Sequence, residues 1–285
     1  RSTARAIERQ LLIDPEGAAE QRPDWSPVLE LGPQILAEMS KDLEIAAWLI
    51  VALVRKHGFA GLRDGFRLAR ELVVGFWDHL YPLPDEEDGL RARVAALTGL
   101  NGDDAEGTLI APIANVPITE SGSQDAFSTW HYEQAASLEA IDDPDRRAQR
   151  IEQGAVSLQL FDRGVAETSP DFFRNLLEDI DAAETEFGKL CEELDQRCGA
   201  SVAPPSSNIR NAMAQTREIV ENITKNLFSE GETESEQTDE SSAAEGEVSA
   251  VGGTRKIAAR EDAFRTLLQV ADFFRRTEPH APISY

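Results

Sequence analysis

Four histidines, two cysteines and several carboxylate clusters are the residues of this chain whose chemistry reaches beyond packing. His57, His79, His131 and His280 are scattered, and none stands beside a cysteine or a second histidine at the spacing a zinc ion requires. His57 suits the C-terminus of a helix, where partial negative charge favours a cation. Cys191 and Cys198 fall on one predicted helix, where seven residues separate their α-carbons by about 10 Å. A disulfide needs ~7 Å or less, so the thiols read as reduced and the compartment as cytoplasmic. Asp85-Glu86-Glu87-Asp88 and Asn101-Gly102-Asp103-Asp104 are the candidate cation clusters. Neither has the alternating oxygens and closing glutamate of an EF-hand loop, and both read as solvated acidic loops. The phosphate-cradling G-x-x-x-x-G-K-[ST] and G-x-G-x-x-G patterns are absent, as is a G-x-S-x-G nucleophile turn. Gly58, Gly61 and Gly65 instead suggest a helix cap followed by close helix contacts. With 52 acidic residues, carboxylate pairs arise by chance, and acid–base catalysis needs such a pair inside a pocket. Trp48, Phe76 and Trp77 either line a ligand groove or fill a core. The expectation is no catalytic, cofactor-binding or metal-binding residue.

Charge narrows the partners. A net charge of −24 over 285 residues opposes nucleic-acid binding, which needs clustered lysine and arginine, and disfavours anionic lipid. A basic partner or simple solubility fits. The sequence shows no secretory leader. Its longest apolar run, Ile45–Val54, is far short of the ~20 residues of a membrane helix, so no membrane insertion is predicted. The chain starts at Arg1 without methionine and stops in an apolar phrase at Tyr285, which suggests a piece of a longer protein.

The elements that must position these residues are helical. Ser2–Ile13 carries Ala4, Ile7, Leu11 and Leu12 on one side, and Asp14-Pro15-Glu16-Gly17 is a turn. Trp25–Met39 reads as a helix that Pro33 kinks or splits. Ser40 is a candidate cap for the next helix, with Asp42 and Glu44 in its first turn. That helix is apolar almost all round and ends at Gly58, where a left-handed cap conformation is expected. A further helix spans Gly61–His79 and stops at Pro82 and Pro84; another carries Leu90, Val94, Leu97 and Leu100. The stretch Thr108–Thr119 mixes proline with β-branched residues and reads as extended, pinned by Leu109, Ile110, Ile113, Val116 and Ile118. Helical character returns at Gln124–Ala140, at Asp143–Gln153 and around Val156–Phe161.

Ser169-Pro170 opens the cleanest pattern of all, a cap followed by proline at the first helical position. Phe173, Leu176, Ile180, Ala183, Phe187, Leu190 and Leu194 then alternate steps of three and four, a seam for a neighbouring helix. Past Gly199 and Pro204-Pro205, Ile209, Met213, Thr216, Val220, Ile223 and Leu227 repeat the alternation. The two helices read as an antiparallel αα-hairpin, and a seam of this kind also serves dimerisation. The predicted fold is all-α, with at most a short extended segment near 108–119. Its expected divisions are a helical N-terminal domain at 1–122, a helical extension at 123–228 with the hairpin at about 169–228, a disordered acidic linker at 229–255, and the truncated start of a second helical domain at 256–285. The linker is too poor in large apolar residues to offset its ordering entropy.

One set of phrases resembles a known family. Ser40-Lys41-Asp42-Leu43 with Trp48, His57-Gly58-Phe59 with Gly61, Phe76-Trp77-Asp78 with Tyr81-Pro82, and Leu100-Asn101-Gly102 resemble the ImpA-type N-terminal domain of TssA proteins of the bacterial type VI secretion system. Thr108–Ile113, Trp130–Ala135 and Arg260–His280 extend the resemblance, the last matching the opening of the family's next domain. The resemblance implies a non-enzymatic assembly factor without catalytic residues, whose signature residues are structural. It implies partners among baseplate, sheath, tube and membrane-complex proteins, in the bacterial cytoplasm at the face of the secretion apparatus. It also implies self-association through a C-terminal region beyond Tyr285. A helical peptide-binding adaptor unrelated to secretion is the alternative, and an unrecognised hydrolase a further one.

Overall fold

Runs of apolar residues at helical spacing, punctuated by proline, glycine and capping side chains, become nine α-helices among the described residues, which are 24–236 except Asp104 in this computed structural model. In chain order these are α1 (Ser26–Gln34), α2 (Leu43–Phe76), α3 (Leu90–Asn101), α4 (Ile110–Ala114), α5 (Thr129–Glu139), α6 (Pro144–Glu152), α7 (Leu158–Glu167), α8 (Pro170–Cys198) and α9 (Ser207–Glu236). The fold is all-α; among the described residues β-pairing is limited to isolated bridges, one of them Pro117 with Ser128. The expected helices at Ser2–Ile13 and Arg260–Arg276 lie outside the described residues, as does the acidic tract after Glu236.

α2 organises the rest. Asp42 caps it, accepting from the amides of Glu44 at 2.7 Å and Ile45 at 3.4 Å. The expected cap, Ser40, is instead the extended residue that ends a π-helical turn at Ile35–Met39. The cap moved two positions because Lys41 and Leu43 pair with Tyr81 through Tyr81 N–H to Lys41 O and Leu43 N–H to Tyr81 O, both 2.8 Å. That pairing holds the entry strand extended up to Asp42. The π turn follows Pro33, which lies inside α1. Proline offers no amide to the preceding turn, and the pitch widens just beyond it.

At Gly58 the backbone of α2 takes φ 59° and ψ −141°. The sign of φ is the expected one, but ψ is extended rather than left-handed helical, because the chain reverses here instead of merely stopping. A Cβ at Gly61 would lie 2.3 Å from Leu53 O, and one at Gly65 would lie 3.1 Å from Ile50 Cα. Residues 15 apart on a straight helix are separated by roughly 22 Å, so the limbs 43–57 and 59–76 fold onto one another with glycine at the contact. Leu43–His79 is apolar and long enough to cross a membrane on length and composition. The reversal divides it into two short limbs that cover each other.

α8 then lies along the second limb. All seven seam residues from Phe173 to Leu194 are buried. Phe66 and Phe187 meet at 4.7 Å between ring centroids. Arg63 pairs with Asp179 at 3.5 Å and Arg70 with Glu186 at 3.1 Å. Both pairs join residues 116 positions apart, so the two helices run parallel and in one seven-residue register. The seam is therefore intramolecular, but its principal partner is α2, not the antiparallel α9 that the sequence pattern suggested. The seam side chains of α8 meet the second limb of α2 at Phe66, while α9 adds Ile209, Met213 and Val220 to the same core. α9 still closes against α8 through Arg217, which bonds Glu184 at 2.6 Å and also pairs with Asp181. It continues to Glu236, into the tract expected to be linker, where glutamates favour helix. Helices from both sides of residue 122 share one core.

The stretch 108–119 departs from expectation. Ile110–Ala114 forms one helical turn, α4. Pro112 sits in its first turn, where amides lack intrahelical partners anyway. Leu109 and Ile113, four apart, are buried together. Only the end of the stretch is extended, with Ile118 N–H donating to Phe127 O at 2.7 Å. The five apolar anchors pack into the core as the sequence suggests, with Ile110 the most exposed of them.

Candidate interaction site

Two surface features stand out, both built on α2. The first is a groove enclosing about 430 Å³, walled by Trp25 at the start of α1, Glu44, Ala47, Trp48 and Val51 on α2, and Ala92, Ala95, Ala96 and Gly99 on α3. α1 is drawn close because Gly32 has no side chain; a Cβ there would lie 2.8 Å from Leu49. Trp25 and Trp48 form one end, with centroids 6.2 Å apart. Arg55 lies over Trp25 at 4.6 Å, a favourable cation–π geometry. α3 is apolar on two sides. Val94, Leu97 and Leu100 are buried, while the small residues of the other side line the groove. The polar side chains among the described lining residues, apart from the indoles, are Glu44 and Thr108.

The second feature is a set of exposed apolar side chains close in the chain, Phe76, Tyr81 and Leu83, which are 44%, 47% and 49% exposed. Lys41 links Phe76 and Tyr81, its carbonyl accepting from Tyr81 N–H at 2.8 Å. Its ammonium lies 5.3 Å from the Phe76 ring centroid and donates to the carbonyls of Leu36 and Ala37, closing the π turn. Trp77, next to Phe76 in the chain, is clamped between Arg93 at 4.9 Å and Arg197 at 5.9 Å. Arg93 is buried, and it donates to Pro82 O at 3.2 Å and Trp77 O at 2.9 Å. Tyr81 and Leu83 are thus carried on a braced loop rather than a free one.

The residues singled out from the sequence divide by environment. Leu43, Phe59, Gly61, Leu100 and Asn101 are buried; Ser40, Lys41, Asp42, Trp48, Gly58, Trp77, Pro82 and Gly102 are half-buried; His57, Phe76, Asp78 and Tyr81 are exposed. Trp48 and Trp77 therefore belong to different features. Asn101 ties the N-terminal helices to α9. Its Oδ1 accepts from Ile209 N–H at 3.0 Å, its carbonyl accepts from Asn208 at 3.0 Å, and its own amide donates to Gly102 O at 2.8 Å. It thereby satisfies a first-turn amide of α9 that has no helical partner. Sequence reading missed Trp25, Arg93 and the small-residue face of α3. An arginine at a buried helical position, or alanines at 92, 95 and 96 with a glycine at 99, are weak signals without the fold.

The ionisable groups serve structure. Asp85 accepts from the amides of Asp88 and Gly89 at 2.6 and 3.2 Å, so the acidic quartet folds on itself. Among the described residues no three His, Cys, Asp or Glu side chains converge as metal ligands. Burial pushes the Cys191 and Cys198 thiols up from their usual range, away from the reactive thiolate. His131 Nδ1 accepts from Ser128 N–H at 3.0 Å and contacts its hydroxyl at 2.9 Å, closing a capping box at the start of α5. Burial holds its pKa below the ordinary 6.5, in keeping with the neutral ring that an accepting Nδ1 requires.

Comparison with known proteins places these features. Residues 2–102 match the family described as ImpA, N-terminal, type VI secretion system. The chain is 25% identical over 274 residues to the type VI secretion system component TssA1 of Pseudomonas aeruginosa, covering 92% of this chain and 74% of that protein. The solved N-terminal domain of TssA from Burkholderia cenocepacia, which includes the conserved ImpA_N region, superposes with a TM-score of 0.66 at 28% identity, over 76% of this chain and 87% of that one. The chain is of the TssA type. Its ImpA region ends at Gly102, where α3 terminates, so the groove and the exposed apolar side chains both lie within that region apart from Thr108. The chain has a type VI secretion role in a bacterial cell, and TssA-type chains are structural components of that system. A peptide-binding adaptor unrelated to secretion loses its ground.

Proposed function

We propose that this TssA-type chain is a non-enzymatic scaffold that coordinates docking at the baseplate with polymerisation of the tail tube and sheath, at the cytoplasmic face of the apparatus. The observation that carries this reading is the exposure of Phe76, Tyr81 and Leu83, at the end of α2 and in the braced loop that follows it inside the ImpA region. Exposed apolar groups held on braced backbone mark protein contact rather than chemistry. The partners proposed are baseplate, sheath, tube and membrane-complex proteins, with self-association supplied by a region beyond Tyr285.

The test uses purified baseplate, tube and sheath proteins with the tagged chain. At least one is expected to be retained by the native chain and lost by a Phe76→Ser, Tyr81→Ser double variant that melts like the native protein. Retention of none of them, or retention undiminished by the double variant, overturns the reading.

A further inference from the structure

The exposed apolar side chains at the end of α2 lead into the acidic quartet. From Trp77 to Leu90 the chain carries five carboxylates, Asp78, Asp85, Glu86, Glu87 and Asp88, all exposed, and no lysine or arginine. Leu83 and Pro84, also exposed, run directly into the quartet. Leu83 is two residues from Asp85, at most ~8 Å between α-carbons. We propose that the partner segment meeting Phe76, Tyr81 and Leu83 is basic, an apolar anchor flanked by lysine or arginine that the 85–88 loop draws in. This rests on the reading of those three side chains as a protein contact and names the chemistry of what they contact.

Charge complementarity selects this occupant, because the fold leaves the charge of the loop unneutralised. The cations that touch the loop or its flanks are engaged by carbonyls instead. The Lys41 ammonium donates to Leu36 and Ala37. Arg93 donates to Trp77 and Pro82. Arg197 donates to Val74 O and Arg91 to Ser201 O, both at 3.4 Å. None of the five carboxylates joins an ion pair among the described residues. The loop is also ordered, since Asp85 holds the amides of Asp88 and Gly89 and pairs with Gly89 in an antiparallel bridge. Like charges held close together repel, and a cation brought by a partner relieves them. Charge of one sign beside an apolar contact steers an oppositely charged partner to it and selects against an acidic one.

The experiment measures association rates between the full 285-residue chain and purified baseplate, tube, sheath and membrane-complex proteins. Each protein that the native chain retains and the Phe76→Ser, Tyr81→Ser variant loses is a probe. A loop triple, Glu86→Gln, Glu87→Gln, Asp88→Asn, neutralises exposed side chains without ion pairs among the described residues and leaves Asp85 to hold its turn. It is expected to slow association with the probe at least about tenfold at low salt. Salt raised to ~0.5 M is expected to bring the native chain down to the rate of the triple. A control triple, Asp142→Asn, Asp145→Asn, Glu152→Gln, removes the same charge from exposed positions in and beside α6 and is expected to change the rate by less than about twofold. A rate that the loop triple leaves unchanged, with retention still lost in the Phe76→Ser, Tyr81→Ser variant, overturns this inference alone. Equal slowing by both triples overturns it in favour of net charge. Retention of no protein overturns it together with the reading on which it rests.

Discussion

The seam of α8 and the groove wall of α3 read alike in sequence, since each is an apolar stripe at helical spacing. In the molecule they differ completely. The α8 stripe carries phenylalanine, leucine and isoleucine and is sealed against the second limb of α2. The outer stripe of α3 carries alanine and glycine and leaves a cavity. Side-chain volume, not periodicity, separates a packed interface from a receptive one: large residues fill the space between helices to crystal-like density, whereas small ones create space without filling it.

Truncation breaks or sharpens that contrast. Phe66→Ala removes a ring that is 1% exposed and packed at a tilt against Phe187, and is expected to cost about 3–5 kcal/mol by denaturant titration. Asn101→Ala leaves the Ile209 amide buried without an acceptor and is expected to cost about 2–3 kcal/mol. Its hydrogen-exchange signature is faster exchange confined to the first turn of α9. Trp48→Ala is expected to cost less, about 1–2 kcal/mol, because the indole is half-buried in the groove and only part of its area is desolvated. Equal losses for Trp48→Ala and Phe66→Ala would erase the distinction between seam and groove.

The smallest effect is one of pH. His131 has its pKa lowered by burial in the folded protein, so the unfolded chain binds the extra proton first. Its contribution to stability is full above about pH 6.5 and falls as pH drops through the lower folded value. The melting temperature of His131→Gln, which keeps an acceptor at the third position of the capping box, is expected to fall less than that of the native protein between pH 7 and pH 5, roughly the range in which histidine titrates. Parallel curves would show that the ring is not the titrating group. The low-shifted carboxyls of Glu120 and Glu167, bonded to Ser169 and Ser123, act in a more acidic window and are common to both proteins.

Much of the fold was legible because local signals agree with tertiary demand. Ser169 with Pro170 starts α8 and Gly199 ends it as the capping rules require. The positive φ at Gly58 and the core positions of Leu43, Ile50, Phe66 and Leu97 follow from pattern alone. The cap at Asp42 was not legible, because the choice between Ser40 and Asp42 depends on pairing with Tyr81, some forty positions away. The turn at Ile110–Ala114 was hidden by its prolines, since residue type alone does not say that Pro112 falls in a first turn. Of the candidate site, the aromatic and apolar members Trp48, Phe76, Trp77 and Tyr81 drew notice from their types. Their division between a groove and the exposed end of α2 with its loop did not, because it depends on which side of the reversal at Gly58 each one lies.

By itself the sequence determined the helical class, the helix ends marked by proline, glycine and capping residues, the seam of α8 and the ImpA-type signature. These are local properties: a 3.6-residue period, a fixed φ, a side-chain oxygen within reach of an amide. Tertiary structure alone decided that α8 pairs in parallel with the second limb of α2, that Asn101 holds the start of α9, and that one face of α3 is left as a groove. Those outcomes depend on which surfaces meet after the chain folds back on itself at Gly58. That choice is set by the fit of volumes between distant segments, and no local pattern contains it.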